Sequence, residues 1–579
     1  MALIDIPRAL PHFSATTFRC FPRIVANCIV ARYSLVVVAA VFAQMFSPTL
    51  TARGATGGRS LIDVHDYGAK CDGTSEDTPS IQRAIDAAVV SGAKLLLPAG
   101  TCIISPPSVS YIFKIGSNLH IVGQGMGSSV LKVKDGAGDF TVIFGSFGAK
   151  YDGLEFREFT IDYNATNNPA LSLAQGRLAI GTTSGSRGMT WDRVEIRDIS
   201  SINVIYSGSQ YSQVTNCRFE LNTTGTLHHD HSTIYMAAEH AAIVNNMFVG
   251  GINAPGAVTA IETHGGKQTI TGNIIDGYLV GMNLTGVAAS DSEGIVVNGN
   301  SIVNGYYGIT IWSNNYRSHT GGYGITNATI SGNVIRLVQT QWTTNAVTGA
   351  PVIGNASGIT INPTANLPAK TLLITGNTIE YDLESSPAAP FSGSSEMGIG
   401  YWDATNSNRA FNVKIAGNIV VNAPASAIRW APGGGDSVEI SENMIINAGS
   451  AANPGLISSY RSGVMVSPAN GISHVAILRN NIIAGESGGM AYGIEVLGDS
   501  CVLADGNSVS ASAGSKSGYL QYIRTNASKC PTAVHGVQLG PPLQSSMLPG
   551  IGVSPGSEVL DATSGTTWHY NGTSWASTR

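Results

Sequence analysis

ITGNII at Ile270, VNGNSI at Val297, ISGNVI at Ile330, ITGNTI at Ile374 and IAGNIV at Ile415 are one string written five times. Working outward, the same frame appears as VTNCRF at Val214, IVNNMF at Ile243, ISENMI at Ile440 and LRNNII at Leu478. Each has an apolar residue, then Asn after a short spacer, one variable residue and another apolar residue. The Asn column reads 216, 246, 273, 300, 333, 377, 418, 443 and 481, in steps of 25 to 44 residues, and steps of that size mark stacked structural repeats. LEFREF at Leu154 and VEIRDI at Val194 fit the frame with Arg157 and Arg197 in the Asn slot.

A second strand follows most copies. It begins on a small residue and alternates: AIETHG at Ala260, GMNLTG at Gly281, GITIWS at Gly308, GITINP at Gly358, GIGYWD at Gly398, AIRWAP at Ala427, GVMVSP at Gly463 and GIEVLG at Gly493. Two short strands per repeat, always in the same order, stack in parallel as a solenoid rather than as hairpins. The expected fold is all-β, a parallel solenoid of about ten stacked coils between roughly residues 120 and 510. Its Asn column is read as a structural ladder, because an Asn side chain satisfies turn backbone and its own stacked copies.

Composition agrees. Of 579 residues only 12% are charged, and 69 are Gly, which suits a turn-rich β chain. A net charge of -5 offers no basic footprint, so no nucleic-acid partner is expected. Arg8, Arg19, Arg23 and Arg32 precede an apolar run from Ser34 to Phe46. This reads as a secretory signal cut after Ala43 or Gly54, the run being too short for stable membrane insertion. The expected location is extracellular or periplasmic. There, Cys71, Cys102, Cys217, Cys501 and Cys530 meet an oxidising compartment. Cys71 and Cys102 flank a predicted helix and pair as a disulfide, Cys501 pairs with Cys530, and Cys217 stays a buried thiol.

The segment Leu61 to Ser105, LIDVHDYGAKCDGTSEDTPSIQRAIDAAVVSGAKLLLPAGTCIIS, resembles the opening of the pectate-lyase superfamily, shared by rhamnogalacturonases, polygalacturonase-like hydrolases, epimerase-like proteins and phage tailspikes. The DYGA and DGTSEDT strings, a helix from Pro79 with Thr78 as N-cap, and the following strand with PAGT carry the resemblance. It implies a pectin-lyase-like right-handed β-helix capped by this helix. Cys71 and Cys102 stand where relatives are expected to have a Gly and an aromatic. The domain reading is residues 1–54 leader, 55–125 cap and first coils, 126–510 β-helix, and 511–579 a tail or small β appendage.

Alternation turns the third and fifth residues of the second strand outward. Third positions are Tyr235, Glu262, Asn283, Thr310, Thr360, Gly400 and Arg429; fifth positions are Ala237, His264, Thr285, Trp312, Asn362 and Trp402. Such a polar stripe with aromatic shelves suits a groove for a polymeric carbohydrate, with Asn283, Trp312, Asn362 and Trp402 as substrate contacts. The densest reactive cluster, His228, His229, Asp230, His231, Tyr235, Glu239 and His240, lies beside Glu262 and His264 in the next coil. Asp230 and Glu262 are the expected acid and base or nucleophile, with His264, Tyr235 and His228 assisting.

Glu239 and His240 read equally as solvated turn residues, and the polar stripe as mere solvent-facing strand. The paired-Asp and Gly-His-Gly pattern of the superfamily's hydrolases is absent, which argues against polygalacturonase activity. Elimination at a uronate needs a cation near its carboxylate. Arg429 lies five coils from Glu262, roughly 24 Å, so Lys267 is the nearer candidate. The cluster has donors suited to Zn or Ca without a known ligand spacing: no metal ligand is assigned, and Ca2+ stays open as a cofactor. The expected function is a secreted enzyme that hydrolyses, eliminates or epimerises a polysaccharide; its rival is a tailspike-like or adhesin module that only holds glycan. The oligomer is left between monomer and homotrimer.

Overall fold

The computed structural model describes residues 60–578 except 170–176, 223–230, 251–258, 286–291, 314–324, 339–356, 364–368, 384–395, 403–408, 432–433, 451–460, 468–472, 486–488, 499, 512–520, 526–529, 531, 540–547, 549–552 and 562–563. Each coil runs through three short strands that add to three parallel sheets. In one coil these are Ala242–Val244, Met247–Val249 and Thr259–Thr263. The next coil repeats them as Thr269–Thr271, Ile274–Asp276 and Val280–Thr285, paired in parallel residue for residue. The result is a right-handed parallel β-helix.

Inward positions stack like on like. Ile243, Ile270 and Val297 follow one another in the first sheet, and Phe248, Ile275 and Ile302 in the second. Ile234, Ile261 and Met282 line the third. All nine are essentially buried, each stabilising the fold by roughly 1.5–3 kcal/mol. One-residue slippage would turn every one of these side chains to solvent, so the apolar columns hold the register.

Between the first and second sheets the chain turns over two residues. The first takes a left-handed backbone, as Asn245, Gly272, Gly299 and Gly332 do. The second carries the ladder: Asn246, Asn273, Asn300, Asn333, Asn377, Asn418, Asn443, Asn480 and Asn507, each Nδ2 lying 2.9–3.0 Å from the next Oδ1. The same Nδ2 also donates to a carbonyl of the preceding coil, as Asn273 does to Ile243 at 2.9 Å.

This geometry corrects four positions of the expected column. Asn216 takes the left-handed place and Cys217 the ladder slot, its N–H donating to Asn246 Oδ1 at 2.9 Å. Arg479 takes the left-handed place further on, so Asn480 is the rung and Asn481 opens the next strand. Arg157 ends a first-sheet strand and Arg197 lies within a second-sheet strand; the slots in their coils belong to Phe159 and Val194. Counting from the apolar residue missed them because only the two-residue turn, not the spacer, is constant.

At the N-terminal end the helix spans Thr78–Ser91 and buries Ile81, Ala84, Ile85 and Ala88 against the first coils. Its N-cap is Asp77, not Thr78. The Asp77 carboxylate turns back to accept the Lys70 and Cys71 N–H groups at 2.7 and 3.1 Å, while the Thr78 hydroxyl bridges Glu76 and Ser105. Cys71 and Cys102 are bonded, as are Cys501 and Cys530. Among the described residues Cys217 is the free cysteine and is buried.

Parallel pairing continues past residue 510. Gln521–Thr525 joins the third sheet and Ala533–His535 the first. Glu558–Asp561 then leads into antiparallel strands Thr567–Tyr570 and Trp575–Thr578. No described helix is long and apolar enough to cross a membrane.

Candidate active site

The outer face of the third sheet carries a column whose register runs Tyr206, Tyr235, Glu262, Asn283, Thr310, Thr360, Gly400 and Arg429. Asn283 and Thr310 are joined at 3.0 Å through Oδ1 and Oγ1. Thr285, Trp312 and Asn362 pair as a neighbouring column, and Trp402 lies opposite Ala431. The side chains of Trp312, Asn362 and Trp402, and the whole of His228, His229 and Asp230, lie outside the described residues.

Glu262 is the centre of the described part. Its side chain is 17% exposed and that of His264 is 20%. Oε1 lies 2.7 Å from His264 Nε2, and Oε2 accepts the Ser232 hydroxyl at 2.5 Å. A carboxylate accepts, so Nε2 is the donor in this contact and Nδ1 is left free of Glu262. Among the described residues nothing hydrogen-bonds Nδ1. The Tyr235 ring stacks on the imidazole, centroids 4.5 Å apart at 22°. Tyr206 stacks on Tyr235 at 4.7 Å and 7°. Partial burial raises the Tyr206 phenol above its ordinary range.

The structure therefore brings Glu262, His264 and Tyr235 together and adds two residues that the sequence reading missed. Tyr206 sits in SINVIYSG at Ser201, a strand without the small first residue that marks the others. Ser232 opens its strand, where alternation alone says nothing about a hydroxyl reaching the next coil. His231 is not part of the groove. It is buried, with Nδ1 2.7 Å from the Ser201 carbonyl and Nε2 2.8 Å from Thr233 Oγ1, which in turn meets the Tyr278 hydroxyl at 2.8 Å.

Lys267 lies on the turn after the Glu262 strand, and its ammonium pairs with Glu239 at 3.1 Å. His240 stacks on Tyr211, centroids 5.0 Å apart. Arg429, well along the column, is part of neither contact. Among the described residues the one group of three close metal-type donors is Cys71, Asp77 and Cys102, and its two sulfurs are bonded to each other.

Residues 61–310 match the sequence family described as rhamnogalacturonase A/epimerase, pectate lyase-like. Glu262, His264, Tyr235 and Ser232 all fall within the matched residues. A mannuronan C5-epimerase of Azotobacter vinelandii is 38% identical over 146 residues, 24% of this chain and 14% of the epimerase. An alginate lyase of the same organism is 35% identical over 145 residues, 24% of this chain and 17% of the lyase. The matches thus span under a fifth of those two relatives. A tailspike protein variant of E. coli bacteriophage HK620, solved with a pentasaccharide, shares the fold with a TM-score of 0.55 and 16% identity, covering 87% of this chain and 86% of the tailspike.

Proposed function

We propose that the protein is an exported enzyme acting on a uronate polysaccharide, with the third-sheet face as its groove and His264 as the proton-transfer group. Elimination and C5 epimerisation both begin by removing a proton next to a uronate carboxylate, and that is the step assigned to this site. One observation carries the assignment: the Glu262 carboxylate lies 2.7 Å from Nε2 of His264, and Nδ1 has no hydrogen-bond partner among the described residues. A carboxylate that orients a neutral imidazole and stabilises its protonated form is a general-base arrangement. In this role Glu262 positions and His264 transfers.

Among the described residues hydrolysis by a carboxylate pair is less favoured, since the positions above and below Glu262 in its column are Tyr235 and Asn283 and Asp230 lies outside them. Glycosidases need their two carboxyls within about 9.5 Å. The named activities of the two Azotobacter relatives, one an epimerase and one a lyase, agree with a proton-abstraction site. Two disulfides suit the oxidising compartment that export implies.

The test incubates the protein with polymannuronate and with a neutral glucan in deuterated water. Ultraviolet absorbance reports unsaturated ends, NMR reports deuterium at the abstracted position, and a reducing-end assay reports cleavage. Absorbance or deuterium with polymannuronate, lost in Glu262→Gln and His264→Gln, is the expected result. New reducing ends with neither signal would refute the proposal in favour of hydrolysis.

A further inference from the structure

We propose that Phe147 is the far platform of the same groove, a subsite that stacks on a pyranose ring of a long glycan several sugars from the reacting one. The inference rests on the groove reading above, and on a piece of backbone built to hold one exposed ring.

The strand Val142–Ala149 pairs with Leu178–Thr182. Phe144 lies opposite Ile180, but Thr182 then lies opposite Ala149, so the first strand spends five residues where its partner spends two. Four residues, GSFG at 145–148, stand where the partner has Gly181 alone. Gly145 at φ 86° and Gly148 at φ 74° bracket it in a left-handed backbone that side chains resist. The Ser146 N–H is tied to the Tyr151 hydroxyl at 3.0 Å. This bulge throws Phe147 onto the outer face, where 54% of it is exposed.

The landing place is specific. Gly181 is the residue opposite Tyr206 in the outward column, so the column lacks a side chain there. Phe147 fills the gap: a Cβ added to Gly181 would sit 2.6 Å from Phe147 Cδ2. Its ring lies 5.3 Å from that of Tyr206 at 62°. The strip thus reads Phe147, Tyr206, Tyr235 and then Glu262 with His264.

A lone exposed apolar side chain needs no explanation. Here a bulge, two left-handed glycines and a vacated column position converge on the ring, and it continues an aromatic row that ends on the site. Tyr206 and Tyr235 stack face to face, so Phe147 is the ring of this row with the most surface left for a ligand. Gly181 and Glu262 are three coils apart, about 14 Å along the helix axis. A short oligosaccharide bound over His264 cannot span that distance; a polymer lying along the column can. Aromatic rings take the apolar face of a sugar and leave its hydroxyls to solvent or to the Tyr and Asn side chains nearby.

The experiment measures retention of full-length polymannuronate and size-graded oligomannuronates by the full chain carrying Phe147→Ala or Phe147→Trp, alone and with Glu262→Gln. Phe147→Ala should weaken binding of the long chain about tenfold, the scale of one lost aromatic contact. KM should rise with little change in kcat. The penalty should fade as the oligomer becomes too short to reach Phe147, and Phe147→Trp should restore binding. Equal effects on short and long chains, or none on either, would overturn the inference. The two proposals fail separately: a Phe147 length effect in an active Glu262→Gln protein removes only the catalytic assignment, and its absence beside Glu262-dependent turnover removes only the platform.

Discussion

Glu262 Oε1 and His264 Nε2 are 2.7 Å apart where one strand ends, while Glu262 Oε2 takes the hydroxyl of Ser232 from the preceding coil. Both carboxylate oxygens are thereby committed, and the imidazole is fixed by its own strand and by the Tyr235 ring beneath it. His264→Gln should fold normally and lose turnover by about a hundredfold to ten-thousandfold, the range for a missing acid or base. Ser232→Ala removes one of two hydrogen bonds to the carboxylate and should cost about tenfold, as a bond to a charged group does. Initial rates on polymannuronate with circular dichroism as the folding control check both.

The ladder makes neighbouring asparagines unequal. Asn480 is 1% exposed, and its Nδ2 donates to the Ile440 carbonyl and to Asn507 Oδ1, both at 2.9 Å. Asn480→Ala removes the bond to the Ile440 carbonyl and takes the acceptor from the Asn443 N–H and Nδ2, at 3.0 and 2.9 Å, and should destabilise the protein by about 2–4 kcal/mol. Asn481→Ala, at the start of the following strand, should stay within about 0.5 kcal/mol. Urea unfolding of the two variants decides; equal midpoints would contradict the turn geometry.

Cys217 gives the protein an alkaline weakness. Burial, with the Asp192 charge adding to it, pushes its thiol from 9.0 up to about 12. In the unfolded chain the thiol ionises near pH 9, so above that pH the unfolded state holds fewer protons and stability falls, by up to about 1.4 kcal/mol per pH unit, until the folded thiol itself ionises near 12. Below pH 9 this contribution is fully present. Cys217→Ala should show a flatter stability profile between pH 9 and 12 than the parent, and the parent should resist iodoacetamide at pH 8 unless denatured.

The bond between Cys71 and Cys102 closes 31 residues containing the capping helix. Replacing both with Ala should lower stability by about 2–4 kcal/mol, mainly through a less constrained unfolded chain. Thermal unfolding with and without reductant should show the parent, but not the double variant, losing that amount.

Much of the groove was legible before any coordinates. Residues such as Ile234, Ile261 and Met282 occur at a constant place in each third-sheet strand, and a period of two places Tyr235, Glu262 and Asn283 on the opposite face. Stacking in parallel then aligns them without further information, and the backbone pairing follows that alignment. The ladder was legible only in outline. Gly272 and Gly299 announce the left-handed turn residue, but Asn216, Asn245 and Arg479 take that conformation without being Gly, so NN and NC strings were open to a one-residue shift.

What the sequence by itself determined is the repeat, and with it the fold, the register and the identity of the outward columns, because apolar burial every coil tolerates one arrangement. What only the tertiary structure decided is which polar groups share a proton or a face. His231 and His264 both belong to the same His-rich cluster, yet one is buried against Ser201 and the other is held by Glu262. Ser232 reaches Glu262 from the preceding coil through a hydroxyl rotamer, and a bulge sets Phe147 beside Tyr206. Such contacts depend on distances of a few tenths of an ångström across coils, and residue spacing along the chain does not encode them.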